Sequence, residues 1–449
     1  MQFTQGLHRA VQQHPEAIAT VCGDRRQSFG QLRERVGKLA GGLAAQGLGP
    51  GDRIAILALN SDRYLEAYLA IAWLGAVVNP INFRWSAEEV TYSLNDSNST
   101  AILLDDQFAA MASDIREKSP SVAHYFFQGD GDLPEGMVST EAMIADSAAI
   151  DDAEASGDTL FGIFYTGGTT GRPKGVMLSH ANLFSSGLAL LSEGLLAEGA
   201  KGLHAAPMFH LADMMLTTCL VIRGGQHHFL PAFRPDSLLQ MVASESITDL
   251  LLVPAMLQAI VGFEGAKQFD TTSVKSIMYG ASPAAETLLD GVMNLFTSAS
   301  LTQVYGMTEN LAWSHTTEEG DQQIGWVGTP NDGVECRIGE GGEILVRSLG
   351  NMKGYYKQPE KTAEDLTEDG WLRTGDVGEI DGKGRLRITG RVKEIFKTEK
   401  GKYVAPAPIE NRLSTMPGLE LACVIGQGMG QPVALLNITP EEQERLSKG

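Results

Sequence analysis

The sequence predicts an α/β protein built on parallel strands, followed by a smaller region of antiparallel strands. Two observations carry this prediction. Short apolar segments alternate with segments of helical periodicity, an alternation that recurs through residues 200–305 and is typical of parallel α/β layers. From about residue 325 the chain changes to short strands separated by Gly-Asp turns, which predicts a small antiparallel β subdomain. A chain of 449 residues exceeds one typical core, so two or three folding units are expected.

The first hundred residues contain the clearest local signals. Residues 17–22 and 53–59 are predicted strands, and the spacing of apolar residues on either side of the first strand predicts helices. Ser86 followed by Glu89 predicts a capping box at the start of a helix over residues 87–95. These elements begin the strand–helix alternation on which the α/β prediction rests.

Composition and charge exclude several classes of protein. The formal net charge of -20 and the pI near 4.9 disfavour a nucleic-acid binder, which needs a basic surface, and sustained attachment to anionic membranes. The richest apolar stretch, residues 64–78, is shorter than a membrane span and is interpreted as a buried helix. The four cysteines lack metal-ligand spacing and the N-terminus has no apolar signal core. We therefore expect a cytoplasmic protein without stable membrane insertion.

The strongest functional signal is the run of residues 165–175, YTGGTTGRPKG, which follows an apolar segment of strand length. Glycines let backbone N–H groups approach phosphate oxygens, while threonine hydroxyls and a lysine add donors and charge. A Walker loop is excluded, because Gly171 is followed by Arg-Pro-Lys and not by Lys-Ser/Thr. From composition alone, a polyphosphate cradle and a flexible surface turn both remain open.

A second motif, VYGMTE at residues 304–309, follows a predicted strand. At a strand end, Tyr305 can stack on a base, Thr308 can donate to a phosphate and Glu309 can hold a cation. The structural alternative is a core tyrosine followed by a capping Thr-Glu pair.

Three further stretches carry weaker signals. Residues 370–376 (GWLRTGD) end in Asp376, a carboxylate that serves either as a turn residue or as an acceptor for a ribose diol. Residues 279–283 (YGASP) follow an apolar strand, and residues 207–210 (PMFH) end in His210, a type of residue that is more often packed than catalytic.

In their order along the chain, these five motifs resemble those of the adenylate-forming superfamily, which includes acyl-CoA synthetases, firefly luciferase and peptide-synthetase adenylation domains. The resemblance implies a large N-terminal domain (1–390) of two α/β layers plus a small β-barrel at about residues 325–390. A hinge at 391–393, centred on Lys393, and a small α+β C-terminal domain (394–449) would follow. The hinge is most similar to that of fatty acyl-CoA and acyl-carrier-protein synthetases.

The resemblance also implies roles for individual residues. Tyr305 would stack on adenine, Asp376 and Arg391 would contact the ribose, and Glu309 would ligate a metal ion. The implied cofactors are ATP, Mg²⁺ and, as co-substrate, CoA. The implied nucleotide-binding residues are Thr166, Gly167, Gly168, Thr169, Thr170, Gly171, Lys174, Gly280, Ala281, Ser282, Tyr305, Gly306, Thr308, Asp376 and Arg391. The implied catalytic residues are Thr166, Lys174, His210, Thr308 and Glu309. The implied acyl pocket is lined by His210, Ala212, Val253, Pro254, Tyr279, Gly280, Gly306, Asn310 and Leu311.

The function implied is that of an ATP-dependent acid–thiol ligase. It would activate a hydrophobic carboxylic acid, fatty or aryl, as an acyl-adenylate and transfer the acyl group to CoA. An acyl-carrier-protein synthetase is the first alternative, with a carrier protein as its partner, and a homodimer is left open. The superfamily places a lysine in a Pro-x-x-x-x-Gly-Lys context near its C-terminus, and no such motif follows the hinge. We therefore expect a shortened C-terminal domain and slow adenylation, which makes a nucleotide- or acyl-adenylate-binding protein with little turnover the second alternative.

Overall fold

The computed structural model describes residues 1–166, 172–311, 313–318, 323, 325–413, 416, 419–438, 445 and 447. The α-helices are α1 Gln5–Gln13, α2 Phe29–Ala45, α3 Asp62–Trp73, α4 Ala87–Ser97, α5 Ala112–Lys118, α6 Thr140–Asp146, α7 His180–Ser192, α8 Leu211–Arg223, α9 Pro235–Glu245, α10 Pro254–Val261, α11 Glu286–Leu295, α12 Pro359–Asp365 and α13 Pro406–Leu413. The strands are β1 Ile18–Cys22, β2 Arg25–Ser28, β3 Arg53–Leu57, β4 Val77–Pro80, β5 Ala101–Leu104, β6 His124–Phe127, β7 Val138–Ser139, β8 Leu160–Thr166, β9 Lys174–Ser179, β10 Lys201–His204, β11 Gln226–Phe229, β12 Asp249–Leu252, β13 Ser276–Gly280, β14 Ser300–Tyr305, β15 His315–Thr316, β16 Trp326–Pro330, β17 Val334–Ile338, β18 Glu343–Ser348, β19 Gly354–Tyr355, β20 Leu372–Ile380, β21 Leu386–Arg391, β22 Phe396–Lys397, β23 Tyr403–Val404, β24 Leu419–Ile425 and β25 Val433–Ile438.

Two large sheets organise the described part of the chain. The first has the order β19-β9-β8-β4-β3-β5-β6-β7. The six strands β8, β4, β3, β5, β6 and β7 are parallel to one another. At one edge, β9 pairs antiparallel with β8, and β19 pairs antiparallel with β9. Strands β8 and β9 form a hairpin whose last pair is Thr166 and Lys174. The predicted phosphate loop therefore joins two neighbouring antiparallel strands.

The second sheet has the order β17-β18-β20-β21-β16-β15-β14-β13-β12-β10-β11-β1-β2. Its centre, β14-β13-β12-β10-β11-β1, is parallel. The six strands on one side of this centre, β15-β16-β21-β20-β18-β17, each pair antiparallel with their neighbours. The α/β prediction is confirmed. The antiparallel region expected from about residue 325 belongs to the same sheet, and β15 joins it to the parallel centre.

Buried helices lie between the two sheets. Helix α3 contacts β3 and β4 of the first sheet and β1 and β11 of the second. Its Tyr64, Tyr68 and Trp73 are each at most 2% exposed, because a helix covered on several faces must be apolar nearly all round. Among the helices in the described ranges, none is long and apolar enough to cross a membrane.

Local predictions succeed at α4 and fail after α3. The Ser86 capping box is present, with the Ser86 and Glu89 side chains and backbones bonded reciprocally. The single buried helix expected over residues 64–78 is wrong: α3 ends at Trp73 and β4 begins at Val77. Gly75 lies between them with a φ of 73°, a left-handed conformation that ends helices and that glycine adopts without strain.

His228 gives the fold a testable pH dependence. The residue is 1% exposed and neither ring nitrogen has a hydrogen-bond partner in the described residues. Burial lowers its pKa to about 4. An unfolded histidine has a pKa of about 6.5. Between pH 6.5 and pH 4, the unfolded chain therefore binds a proton at His228 and the folded chain does not. Stability from this residue is complete above pH 6.5 and is lost as the pH falls towards 4, by about 3 kcal/mol in all.

We expect His228→Leu to remove this part of the acid lability. The free energy of unfolding, measured by urea titration at pH 7.5 and pH 5, should fall less on acidification in the variant than in the parent. Equal losses in the two proteins would contradict the assignment.

Candidate functional site

Residues on both sides of the predicted phosphate loop contact α4. The Tyr165 hydroxyl donates to Asp96 Oδ2 at 2.6 Å, and the Arg172 guanidinium carbon lies 5.3 Å from the centre of the Tyr92 ring. Thr166 is directly opposite Lys174 across the hairpin. The loop residues Gly167, Gly168, Thr169, Thr170 and Gly171 lie outside the described residues.

Lys174 is surrounded by acidic and aromatic groups. Its Nζ lies 3.8 Å from Glu309 Oε1, 3.8 Å from Asp365 Oδ2 and 2.9 Å from the Tyr355 hydroxyl oxygen. Burial lowers the pKa of the Lys174 ammonium, and the charges of Glu309 and Asp365 partly offset that effect. Lys393, the predicted hinge residue, is close enough for its charge to lower the same pKa. The fold thus brings together the lysine of the first motif and the glutamate of the second.

The second half of the site is a bonded cluster of Tyr305, Asp376 and Arg391. The Tyr305 hydroxyl donates to Asp376 Oδ2 at 2.7 Å, and Arg391 Nε lies 2.9 Å from Asp376 Oδ1. Asp376 and Arg391 are cross-strand neighbours on β20 and β21. Asp376 is 5% exposed and Tyr305 is 9% exposed. Burial and the nearby Asp376 charge raise the pKa of Tyr305, which keeps its hydroxyl protonated as a donor.

A cavity of about 350 Å³ adjoins this cluster. Seven of the predicted nucleotide-binding residues line it, namely Gly280, Ala281, Ser282, Tyr305, Gly306, Asp376 and Arg391. Glu394 and Glu410, from beyond the predicted hinge, line it as well. Ala281 has a φ of 69°, and backbone held in this region by a residue other than glycine is concentrated at functional sites.

The wall of this cavity depends on the absence of a side chain at Gly280. A Cβ there would lie 2.3 Å from the Val304 carbonyl oxygen on the neighbouring strand β14. We expect Gly280→Ala to push β13 and β14 apart and to lower the free energy of unfolding by about 1–3 kcal/mol, as measured by urea titration.

Gly382→Ala is the matched control, since a Cβ at Gly382 meets nothing within 4 Å. Equal stability of the two variants would contradict the close-approach argument.

The predicted acyl-pocket residues are more dispersed. The lining of the 350 Å³ cavity includes Gly280 and Gly306 but not His210, Ala212, Val253, Pro254, Tyr279, Asn310 or Leu311. His210 precedes α8 and its residue surface is exposed, whereas Tyr279, Asn310 and Leu311 are buried. The pKa of His210 is lowered, first by desolvation of the ring among neighbouring protein atoms and then by the charge of Arg84. This histidine is therefore neutral at physiological pH.

Asp213, three residues after His210, is occupied by a structural pairing. Its Oδ2 lies 2.8 Å from His204 Nδ1, and His204 Nε2 lies 3.0 Å from His227 Nδ1. The side chains of His204 and Asp213 are 0% exposed. This chain of groups ties the first turn of α8 to β10 and β11, and it leaves the Asp213 carboxylate inaccessible to a substrate.

Two further residues of the site, Tyr355 and Asp365, were not predicted from the sequence. Tyr355 lies on β19, which pairs with β9, and its hydroxyl contacts both Glu309 and Asp365. A Gly-Tyr-Tyr run at 354–356 was the available signal, but no local pattern ties it to a residue so distant in sequence.

Comparison with known proteins identifies the family. Residues 7–356 match the AMP-binding enzyme family. The chain belongs to that family. Feruloyl-CoA synthase from an Amycolatopsis species is 33% identical over 440 residues, which cover 93% of this chain and 84% of that protein. The fatty acid–[acyl-carrier-protein] ligase ScoC of Streptomyces coeruleorubidus is 33% identical over 443 residues, 93% of this chain and 82% of that one.

Solved structures agree with the family assignment. ATP-bound MatB from Rhodopseudomonas palustris superposes with a TM-score of 0.85 at 28% identity, covering 98% of this AMP-binding enzyme and 89% of MatB.

Proposed function

We propose that this AMP-binding enzyme is an ATP-dependent acid–thiol ligase that forms acyl-CoA from a carboxylic acid and releases AMP and pyrophosphate. One observation carries the proposal: residues 304–309 contribute Glu309 to the pair with Lys174, which is suited to phosphates, and Tyr305 to the cluster with Asp376 and Arg391, which is suited to a nucleoside.

Chemistry dictates two steps. A carboxylate does not react with a thiol, because its leaving group would be oxide. Attack of the carboxylate on the α-phosphate of ATP instead gives an acyl-adenylate and pyrophosphate, after which AMP leaves readily when a thiol attacks. The first step gathers anions and develops charge on a phosphoryl group, so it needs fixed cations and donors.

The residues of this chain supply those groups. Thr166 and Thr308, both half-buried, offer hydroxyl donors to phosphate oxygens, and the loop residues 167–171 offer backbone N–H groups. Lys174 offers a positive charge to the departing pyrophosphate. Asp376 accepts from the ribose diol, and Tyr305 stacks on the adenine. Lys393 is proposed as the hinge about which the segment from 394 onwards rotates between the two steps.

The acidic groups fit a magnesium ion shared with the nucleotide. Mg²⁺ is usually bound through one or two carboxylates together with substrate phosphates. Glu309 provides a buried carboxylate. Among the described residues, no group of three or more His, Cys, Asp or Glu side chains could hold a metal ion. Glu309 would hold the ion, which when bound neutralises charge on the phosphoryl oxygens.

The acyl group is proposed to be hydrophobic. The carboxylate nearest to His210 in sequence, Asp213, is buried against His204 and cannot pair with the amine of an amino acid. Neutral His210 is proposed as a wall and gate of the acyl site. Loading of a carrier protein in place of CoA is the second candidate, because one relative is named as an acyl-carrier-protein ligase.

A pyrophosphate-release screen tests the proposal. Acids of graded chain length and aromaticity would be supplied with ATP and Mg²⁺, and the best acid would then be tested with CoA and with a phosphopantetheinylated carrier protein. Acid-dependent release followed by CoA thioester formation is expected. Thioester formation on the carrier protein only would favour the second candidate.

A further inference from the structure

Three charged side chains converge on one buried hydroxyl. The Tyr355 hydroxyl oxygen lies 2.9 Å from Lys174 Nζ, 2.8 Å from Glu309 Oε1 and 3.0 Å from Asp365 Oδ2. The direct distances from Lys174 Nζ to both carboxylates are 3.8 Å, beyond hydrogen-bond length. The hydroxyl is therefore the atom that links the lysine to the acidic groups.

The single proton of Tyr355 can go to only one carboxylate at a time. Asp365 already has a donor, since Lys361 Nζ lies 2.7 Å from Asp365 Oδ1. Glu309 is 5% exposed, and in the described residues no donor other than Tyr355 lies within hydrogen-bond distance of its carboxylate. A buried carboxylate needs such a donor. The hydroxyl thus donates to Glu309 and accepts from Lys174.

The position of Tyr355 is fixed by its surroundings. The residue is 3% exposed and pairs with Val176 on β9, two residues after Lys174. Its backbone N–H donates to Thr362 Oγ1 at 2.9 Å, and Lys174 Nζ lies 4.0 Å from the centre of its ring. A group locked by packing and hydrogen bonds can orient its neighbours at no further entropic cost.

We propose that Tyr355 is a positioning residue for acyl-adenylate formation, which holds the Lys174 ammonium and the Glu309 carboxylate apart and aims both at the nucleotide. This inference rests on the proposed ligase function. Without the hydroxyl, the ammonium and carboxylate are free to close into a direct ion pair, which would withdraw both groups from the phosphates. The thioester-forming step does not need this pair, because the pyrophosphate has already left.

Tyr355→Phe tests the inference, since it removes one oxygen and keeps the packed ring. We expect acid-dependent ATP–pyrophosphate exchange to fall by about tenfold to hundredfold, the range for losing a hydrogen bond to a charged group. Thioester formation from CoA and a chemically prepared acyl-adenylate should stay within about twofold of the parent. ATP binding in EDTA, measured by calorimetry, should weaken by about fivefold to tenfold through the misplaced lysine.

Tyr356→Phe is the matched control, because the adjacent tyrosine has no hydrogen bond from its hydroxyl to any described residue; we expect it to match the parent in all three assays. Exchange by Tyr355→Phe at the parent rate would overturn the inference. So would an equal loss of both half-reactions together with a lower melting temperature, which would indicate a general structural role. Absence of acid-dependent exchange in the parent protein would instead count against the ligase function.

Discussion

Glu309→Gln is expected to lower the rate of acid-dependent ATP–pyrophosphate exchange by about 100-fold to 1,000-fold, the range found when a preorganised electrostatic group is removed from a reacting centre. The substitution keeps the size of the side chain and removes its charge. Glu309 is buried, is placed by a short 3-10 helix at Thr308–Asn310 and lies 3.8 Å from the Lys174 ammonium. Loss of its charge removes the proposed cation ligand and leaves Lys174 with fewer carboxylate neighbours.

Glu360→Gln is the matched control for this experiment. Glu360 is exposed on α12, close in sequence to Asp365, and the same change of charge there is expected to leave exchange at the parent rate. The Mg²⁺ concentration needed for half-maximal exchange should rise in Glu309→Gln and stay at the parent value in Glu360→Gln. A Glu309→Gln protein that exchanges within about twofold of the parent would refute the role proposed for this glutamate.

Asp376→Asn is expected to weaken ATP binding by about tenfold to 150-fold, since hydrogen bonds to a charged group contribute about 1.5–3 kcal/mol. Both Asp376 oxygens already have a partner in the protein: Oδ2 accepts a hydrogen bond from Tyr305, and Oδ1 forms an ion pair with Arg391, whose Nε lies 2.9 Å away. A carboxylate oxygen accepts two bonds, so one acceptor position per oxygen remains for the ribose diol. Calorimetric titration with ATP, in the absence of acid, measures the effect.

A nucleotide without the diol separates ribose recognition from structural disturbance. The parent should bind 2′,3′-dideoxy-ATP more weakly than ATP, and Asp376→Asn should bind the two nucleotides with similar affinity. If the variant loses as much affinity for dideoxy-ATP as for ATP, Asp376 does not bind the ribose and its role is to hold Tyr305 and Arg391.

Local features of this protein follow from its sequence wherever neighbouring residues decide them. The α4 capping box is an example, because Ser86 and Glu89 satisfy each other's backbone donors within one turn. The segment after α3 shows the limit of such reasoning. Its apolar residues continue without a break through Gly75 into β4, and apolar runs look alike whether a helix or a buried strand follows.

The motifs assigned to the nucleotide, whose roles stay predictions, were found in the sequence because they occur as short contiguous runs at strand ends. Tyr355 and Asp365 were not, because their contacts with Glu309 and Lys174 arise only when β19 pairs with β9. The pairing of Asp213 with His204 likewise joins α8 to β10. The predicted acyl residues are spread over several elements, and their assignment stays a prediction together with the domain boundaries.

Acid-dependent ATP–pyrophosphate exchange by the unaltered protein tests the central claim most directly. We expect labelled pyrophosphate to enter ATP only when a hydrophobic carboxylic acid and Mg²⁺ are both present, and CoA then to convert the acyl-adenylate to a thioester with release of AMP. Binding of ATP without any acid-dependent exchange, across aliphatic and aromatic acids, would contradict the claim.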